Sequence, residues 1–150
     1  MALKEQIDND LKTALLGGNR LSCTVLRSLK AVILDEEVAK GTREQGLDDN
    51  SIEQIVAREI KKRNESANVF ESAGRPELSA DERAEAEVLS KYLPVQVTEA
   101  EIIAVIEKVK AEIGATNASM MGQLIGAVKK ELGNTADGAL IAKLVKAALI

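Results

Sequence analysis

The sequence predicts an all-α protein, and three observations carry that reading. Apolar residues recur at three- and four-residue spacing along most of the chain, and no stretch alternates apolar and polar residues as a half-buried strand would. Nearly every interruption is a helix cap or a helix stop rather than a hairpin turn. Hydrophobic residues are 45% of the 150, yet there is one Phe, one Tyr and no Trp, so the core must be aliphatic, which suits helices packed through Leu, Ile, Val and Ala.

The elements follow in order. Leu3, Ile7, Leu11 and Leu15 repeat every fourth residue and predict a first helix with one buried face, ended by Gly17-Gly18-Asn19. Asn19 can cap a second helix running to about Lys40, with Leu21, Val25, Leu29, Val32 and Ile33 inward. Arg27, Lys30, Glu36 and Glu37 are placed on its wet side, and Gly41 stops it. Thr42 to Leu47 reads as a polar, exposed connection. Asp48-Asp49 opens a long third helix, with acid at the positive helix end. Ile52, Ile55, Val56, Ile60, Ala67 and Phe70 trace its core side, and Gly74 closes it. Arg75-Pro76-Glu77 forces a break, because proline disfavours helix at the residue before it. Ser79-Ala80-Asp81-Glu82 reads as a capping box for a fourth helix to about Tyr92, with Glu85, Leu89 and Tyr92 on one face.

Pro94 ends that helix and opens a short extended link. The expected organisation is an N-terminal helical domain of about four helices over residues 1–93, a linker at 94–97, and a small C-terminal three-helix tail domain at 98–150. The tail begins with a second capping box, Thr98-Glu99-Ala100-Glu101, and a fifth helix with Ile102, Val105, Ile106, Val109 and Ile113 inward and Gly114 at its end. Met121, Leu124, Ile125, Val128 and Leu132 make one further apolar face; Leu140, Ile141, Leu144, Val145 and Ala148 make the last. Between them Gly133 is expected as a left-handed terminator and Asp137 as the cap of the final helix, with Gly138 in the turn. Gly122 and Gly126 read as small residues that let another helix approach.

The formal charge is −4, so the molecule as a whole is no general nucleic-acid binder, but the sign is uneven. Within residues 121–150 there are 4 basic and 2 acidic residues, a local net of +2. In the third helix Arg58, Lys61 and Lys62 share a face. A solvated face laced by pairs such as Glu59 with Arg63 is the plainer reading of that run, and a phosphate-contacting ridge the functional one. The single cysteine, Cys23, excludes an internal disulfide and fits a reducing compartment. With no signal-like apolar block after Met1 and no run able to span a bilayer, a cytoplasmic protein without a membrane partner is expected.

Little in the composition points to catalysis. There is no histidine, the commonest acid/base group and metal ligand near neutral pH. Cys23 lies in a helix interior without an evident activating base and reads as packing. Ser79 and Thr98 are caps first. The Gly122 to Gly126 stretch lacks the ending of a phosphate loop. No catalytic residue, metal site or cofactor is therefore expected.

Several segments together carry a family resemblance. They are the helix-three run Lys61-Lys62-Arg63-Asn64-Glu65-Ser66 with Phe70, the loop Gly74-Arg75-Pro76-Glu77-Leu78, the linker Tyr92-Leu93-Pro94-Val95-Gln96, and the tail from Met121-Gly122 through Gly133-Asn134-Thr135-Ala136-Asp137-Gly138. In order and spacing the chain resembles the GatB/YqeY family, which joins the small YqeY-like proteins to the C-terminal end of the GatB subunit of tRNA-dependent amidotransferases. Gln123, Asn134 and Thr135 depart from the pattern, being uncharged where basic residues are common in the family. The resemblance implies an accessory tRNA-binding protein related to a carbon–nitrogen ligase that uses glutamine as amido donor, without an amidotransferase site of its own. The RNA contacts would fall on Lys129, Lys130, Gly138, Lys143 and Lys146, with Gly133 and Asp137 as structural turn and cap and Arg58, Lys61 and Lys62 as a secondary basic patch. The alternative is a helical protein–protein adaptor with no RNA role. The sequence leaves the oligomeric state open.

Overall fold

The computed structural model describes residues 2–150. Its elements are α1 (Leu3–Gly17), α2 (Arg20–Lys40), α3 (Asp49–Ser72), α4 (Pro76–Ser90), α5 (Glu99–Ile113), α6 (Met121–Leu132) and α7 (Gly138–Ala148), with short 3-10 turns at Ala118–Met120 and Gly133–Thr135. No strand occurs among the described residues. The chain divides after Leu93 into two compact units, the second being Pro94–Ile150.

The first unit closes on Ile7 of α1, Val25, Leu26, Leu29 and Ile33 of α2, Ile52, Ile55 and Val56 of α3, Leu89 of α4, and Tyr92. Two expected core residues are exposed instead, Leu15 at 49% and Leu21 at 41%. For Leu15 the reason is geometric. A strict four-residue repeat gains about 40° per step on a helix that turns about 100° per residue, so by residue 15 it has left the face. Ala14 lies back on that face and is buried.

Glu37, expected to be wet, is 2% exposed. Its Oε2 accepts from the Lys4 ammonium at 2.7 Å and from the Leu47 backbone N–H at 2.9 Å. The hydrogen bond from Lys4 outweighs the upward push of burial, the Leu47 N–H adds to it, and the carboxyl is held below its ordinary value. The α2–α3 connection is therefore fastened to α1 and α2 at Leu47, which packs on the core. The start of α1 is tied as well: the Leu3 N–H donates to Asp49 Oδ1 at 2.9 Å.

Helix α4 begins four residues earlier than the capping-box reading placed it, at Pro76. Proline suits the first helical position, where its missing N–H is no loss. Ser79 is then inside the helix and 5% exposed, not a cap. By contrast Asn19, Thr98 and Asp137 each accept a backbone N–H as expected, and Asp48, expected only as acid at the helix start, does so too.

The second unit closes on Ile102, Ile106 and Val109 of α5, Ala115 in the following connection, Leu124 and Val128 of α6, and Ile141 and Val145 of α7. Gly133 takes φ 57° and ψ −135°, so it is not a left-handed helical terminator. The positive φ still favours glycine. Gly122 and Gly126 meet nothing within 4 Å of where a Cβ would stand, so no helix closes on them.

Two outcomes follow. Glu37→Ala should destabilise the first unit by about 1–3 kcal/mol, since the Leu47 N–H loses its acceptor and the half-exposed Lys4 its partner. Because the folded pKa is lowered, the carboxylate's contribution is complete above 4.5 and is lost as pH falls through the folded value. Glu37→Gln should accordingly flatten the acid side of the stability curve, as measured by urea melts from neutral pH downward. Separately, Gly122→Ala and Gly126→Ala should each stabilise α6 by about 1 kcal/mol in the same melts, glycine being the poorer helix former where a Cβ has open space.

Candidate nucleic-acid interface

The tail's turn is built by a cap, a glycine and a docked segment. Asp137 Oδ2 accepts the Leu140 N–H at 3.1 Å and starts α7. Thr135 donates its hydroxyl to the Leu132 carbonyl at 2.6 Å, closing the end of α6. The Val97 N–H donates to the Thr135 carbonyl at 2.9 Å, and Gln96 Nε2 to the Asn134 carbonyl at 2.9 Å. The turn is thus held from outside its own two helices. Sequence reasoning missed Gln96 and Val97 in this role; the signal available was Gln96 itself, in the Tyr-Leu-Pro-x-Gln segment.

Gly138 does not have a positive φ. What constrains it is Lys129, whose Cε and Nζ lie 3.2 Å from where a Gly138 Cβ would stand. The structure thus brings Lys129 to the start of α7. Lys130, Lys143 and Lys146 are exposed, as is Lys129. Lys129 and Lys130 occupy the last turn of α6 and Lys146 that of α7, where a cation also complements the helix dipole. Lys143 and Lys146 diverge by about 60° on the outer side of α7, whereas Lys130 points about 100° away from Lys129. Among the described residues none of the four has an ion-pair partner.

The two remaining lysines of this unit are engaged. Lys108 pairs with Glu131 at 2.7 Å, and the carboxylate pushes the Lys108 pKa up. Lys110 donates to the Ala148 carbonyl at 2.9 Å and closes the end of α7, another role the sequence did not disclose. The other acids of the tail, Glu99, Glu101, Glu107 and Glu112, all lie on α5.

The secondary basic patch is largely taken up by internal pairs. Arg58 meets Glu36 at 3.3 Å and Lys62 meets Glu59 at 3.3 Å, leaving Lys61 as its one member without an ion-pair partner among the described residues. Glu59 is buried beneath Lys62 and Arg63, which departs from a simply solvated pair. A cleft of about 700 Å³ in the first unit is lined by Asp10, Lys91 and Tyr92 among others. Three of its ionisable groups bind one another: the Tyr92 hydroxyl donates to Asp10 Oδ2 at 2.6 Å and Lys91 meets the same oxygen at 3.1 Å. Burial and then that hydrogen bond push the Tyr92 phenol up. Burial also pushes Asp10 up, but Tyr92 and Lys91 together outweigh it and the net shift is down. Asp10, Glu37 and Asp48, the carboxylates that leave the ordinary range, all move down. No cluster of three or more metal-ligating side chains occurs among the described residues, and no helix is long and apolar enough to cross a membrane.

Comparison with known proteins places these features in a family. The YqeY-like protein family matches residues 4–149, nearly the whole chain. The chain belongs to the YqeY-like family. A relative from Lachancea thermotolerans, Altered inheritance of mitochondria protein 41, mitochondrial, is 30% identical over 150 residues, covering 96% of this chain and 77% of the relative. The protein of the same name from Clavispora lusitaniae is 27% identical over 136 residues, covering 89% and 75%. The one from Saccharomyces cerevisiae is 28% identical over 88 residues, covering 58% and 46%. These YqeY-like relatives are mitochondrial by name, which overturns the cytoplasmic expectation. A single cysteine does not distinguish one compartment from another.

The turn yields a stability test. Asp137→Ala should cost about 1 kcal/mol by freeing the Leu140 N–H. Gly138→Val should cost less than the cap, because only the flexible end of Lys129 has to move. Thermal melts of the two variants beside the parent check the order.

Proposed function

We propose that this YqeY-like protein is an accessory tRNA-binding protein, related to the glutamine-dependent aminoacyl-tRNA amidotransferase system and without an amidotransferase centre of its own. One observation carries the reading. Over α6, the turn and α7 both acids are engaged, Glu131 with Lys108 and Asp137 in capping α7, while Lys129, Lys130, Lys143 and Lys146 are exposed and, among the described residues, unpaired. A locally cationic surface thus stands on an acidic chain. Lysines without carboxylate partners suit phosphates, and the tail's lack of aromatic residues disfavours base stacking. The ligand is read as folded RNA recognised by shape and backbone. In this reading residues 98–150 are a tail domain, with 94–97 fastened to its turn. Asp137 and Gly133 shape the turn, and the lysines bind the phosphates.

The adaptor reading rests on the acidic net charge and the uncharged Gln123, Asn134 and Thr135. Salt dependence separates the two. Changing Lys129, Lys130, Lys143 and Lys146 to Ala should leave the melt nearly unchanged and weaken tRNA binding. It should also lower the log–log salt slope by about 0.9 for each phosphate that is no longer neutralised. Arg58, Lys61 and Lys62 changed to Ala should bind as the parent does. Binding abolished only in that second variant would move the site to α3. A parent with no salt-sensitive affinity for tRNA would sink the RNA reading in favour of the adaptor.

A further inference from the structure

Helix α2 carries an outward face that nothing described so far uses. Arg20, Thr24, Arg27, Ala31, Leu34 and Val38 follow one another at alternating four- and three-residue steps, and all six are exposed. At about 100° per residue they lie within about 80° of one another, a seam along the full helix. Its C-terminal half is apolar, with Leu34 at 40% and Val38 at 61% exposed. Its N-terminal half is cationic. Open clefts of about 330 and 250 Å³ border it, one beside Arg20 and Arg27 and the other beside Leu34. Asp35, next to Leu34, is exposed too. Among the described residues Arg20, Arg27 and Asp35 have no ion-pair partner, although α2's other acids do: Glu36 pairs with Arg58 and Lys40, and Glu37 with Lys4.

We propose that this seam is a homodimer interface on which α2 of a second copy lies antiparallel. The four-three spacing sets the register, with Arg20 opposite Val38, Thr24 opposite Leu34 and Arg27 opposite Ala31 of the other copy. Asp35 then falls one layer from both Arg20 and Arg27 of the second chain, and the same pairing recurs on the far side of the two-fold axis. Charge decides the direction. A parallel pair would set Arg20 on Arg20 and Arg27 on Arg27, whereas the antiparallel pair places each chain's free carboxylate between the two free arginines of the other. The apolar stretch is short, so the association is a weak one at the low end of interface sizes.

The test is sedimentation equilibrium of the full chain from about 1 to about 300 µM, the range in which so small an interface is populated. The parent should show a monomer–dimer equilibrium. Arg20→Glu with Arg27→Glu should weaken it at least about tenfold, and adding Asp35→Arg should restore most of the loss, since the swapped charges again complement each other. Circular dichroism checks that these exposed changes leave the helices intact. As an independent reading, Thr24→Cys chains mixed with Leu34→Cys chains should cross-link to each other in preference to themselves on mild oxidation, the native Cys23 being buried. A parent that stays monomeric throughout overturns the proposal. So does a double variant that dimerises as tightly as the parent, a triple variant that is not rescued, or cross-linking without that preference.

Discussion

A helix leaves its first four N–H groups and last four carbonyls without internal partners, and a chain of short helices meets that demand at every reversal. The structure answers it in two ways that differ in reach. Asn19, Asp48, Thr98 and Asp137 satisfy their own helices from the adjacent position. Elsewhere the partner comes from a distant element: Asp49 of α3 takes the first N–H of α1, and Lys110 of α5 takes a carbonyl at the end of α7. The second kind joins helices while it caps them. Polar side chains thereby help to fix how an aliphatic core with almost no aromatic shape is assembled.

The same demand for partners separates structural charge from available charge. In the first unit most of the basic side chains near α3 are committed to carboxylates, and even the buried Glu59 and Glu37 have cationic neighbours. In the second unit the acids of α6 and α7 are consumed by one ion pair and one cap. What is left over on these two helices is cationic, while the unit's other acids lie on α5. Net charge alone, negative for the chain, conceals this local excess of positive charge.

Local features were readable from the sequence and long-range ones were not. The adjacent caps, the apolar stripe of α5 and the paired stripes of α6 and α7 depend on spacing within one turn, which a sequence displays. Leu15 misled because a four-residue repeat imitates a helix face for two turns before it drifts off. Pro76 misled because it reads as a break, although the break is also where the next helix starts. Glu37 could not be placed, since its burial depends on Lys4 and Leu47, residues 33 and 10 positions away. In the candidate site, the lysines and the Asp137 cap were visible. The approach of Lys129 to Gly138 and the docking of Gln96 and Val97 on the turn were not, because each needs two segments to meet.

The Tyr92–Asp10 hydrogen bond spans 82 residues of chain. As the ribosome delivers the N-terminal end first, α1 emerges long before its phenolic partner exists. Until Tyr92 arrives, the apolar side of α1 can rest only on α2 and α3, with Asp10 lacking that donor. The Tyr-Leu-Pro segment thereby closes the first unit late, and a nascent chain stalled short of it would leave a carboxylate and an aliphatic stripe open to chaperones. Loop-closure entropy over so long a separation makes this a slow contact to form. A residue that looks from the sequence like the last turn of a helix is, in the order of synthesis, the latch.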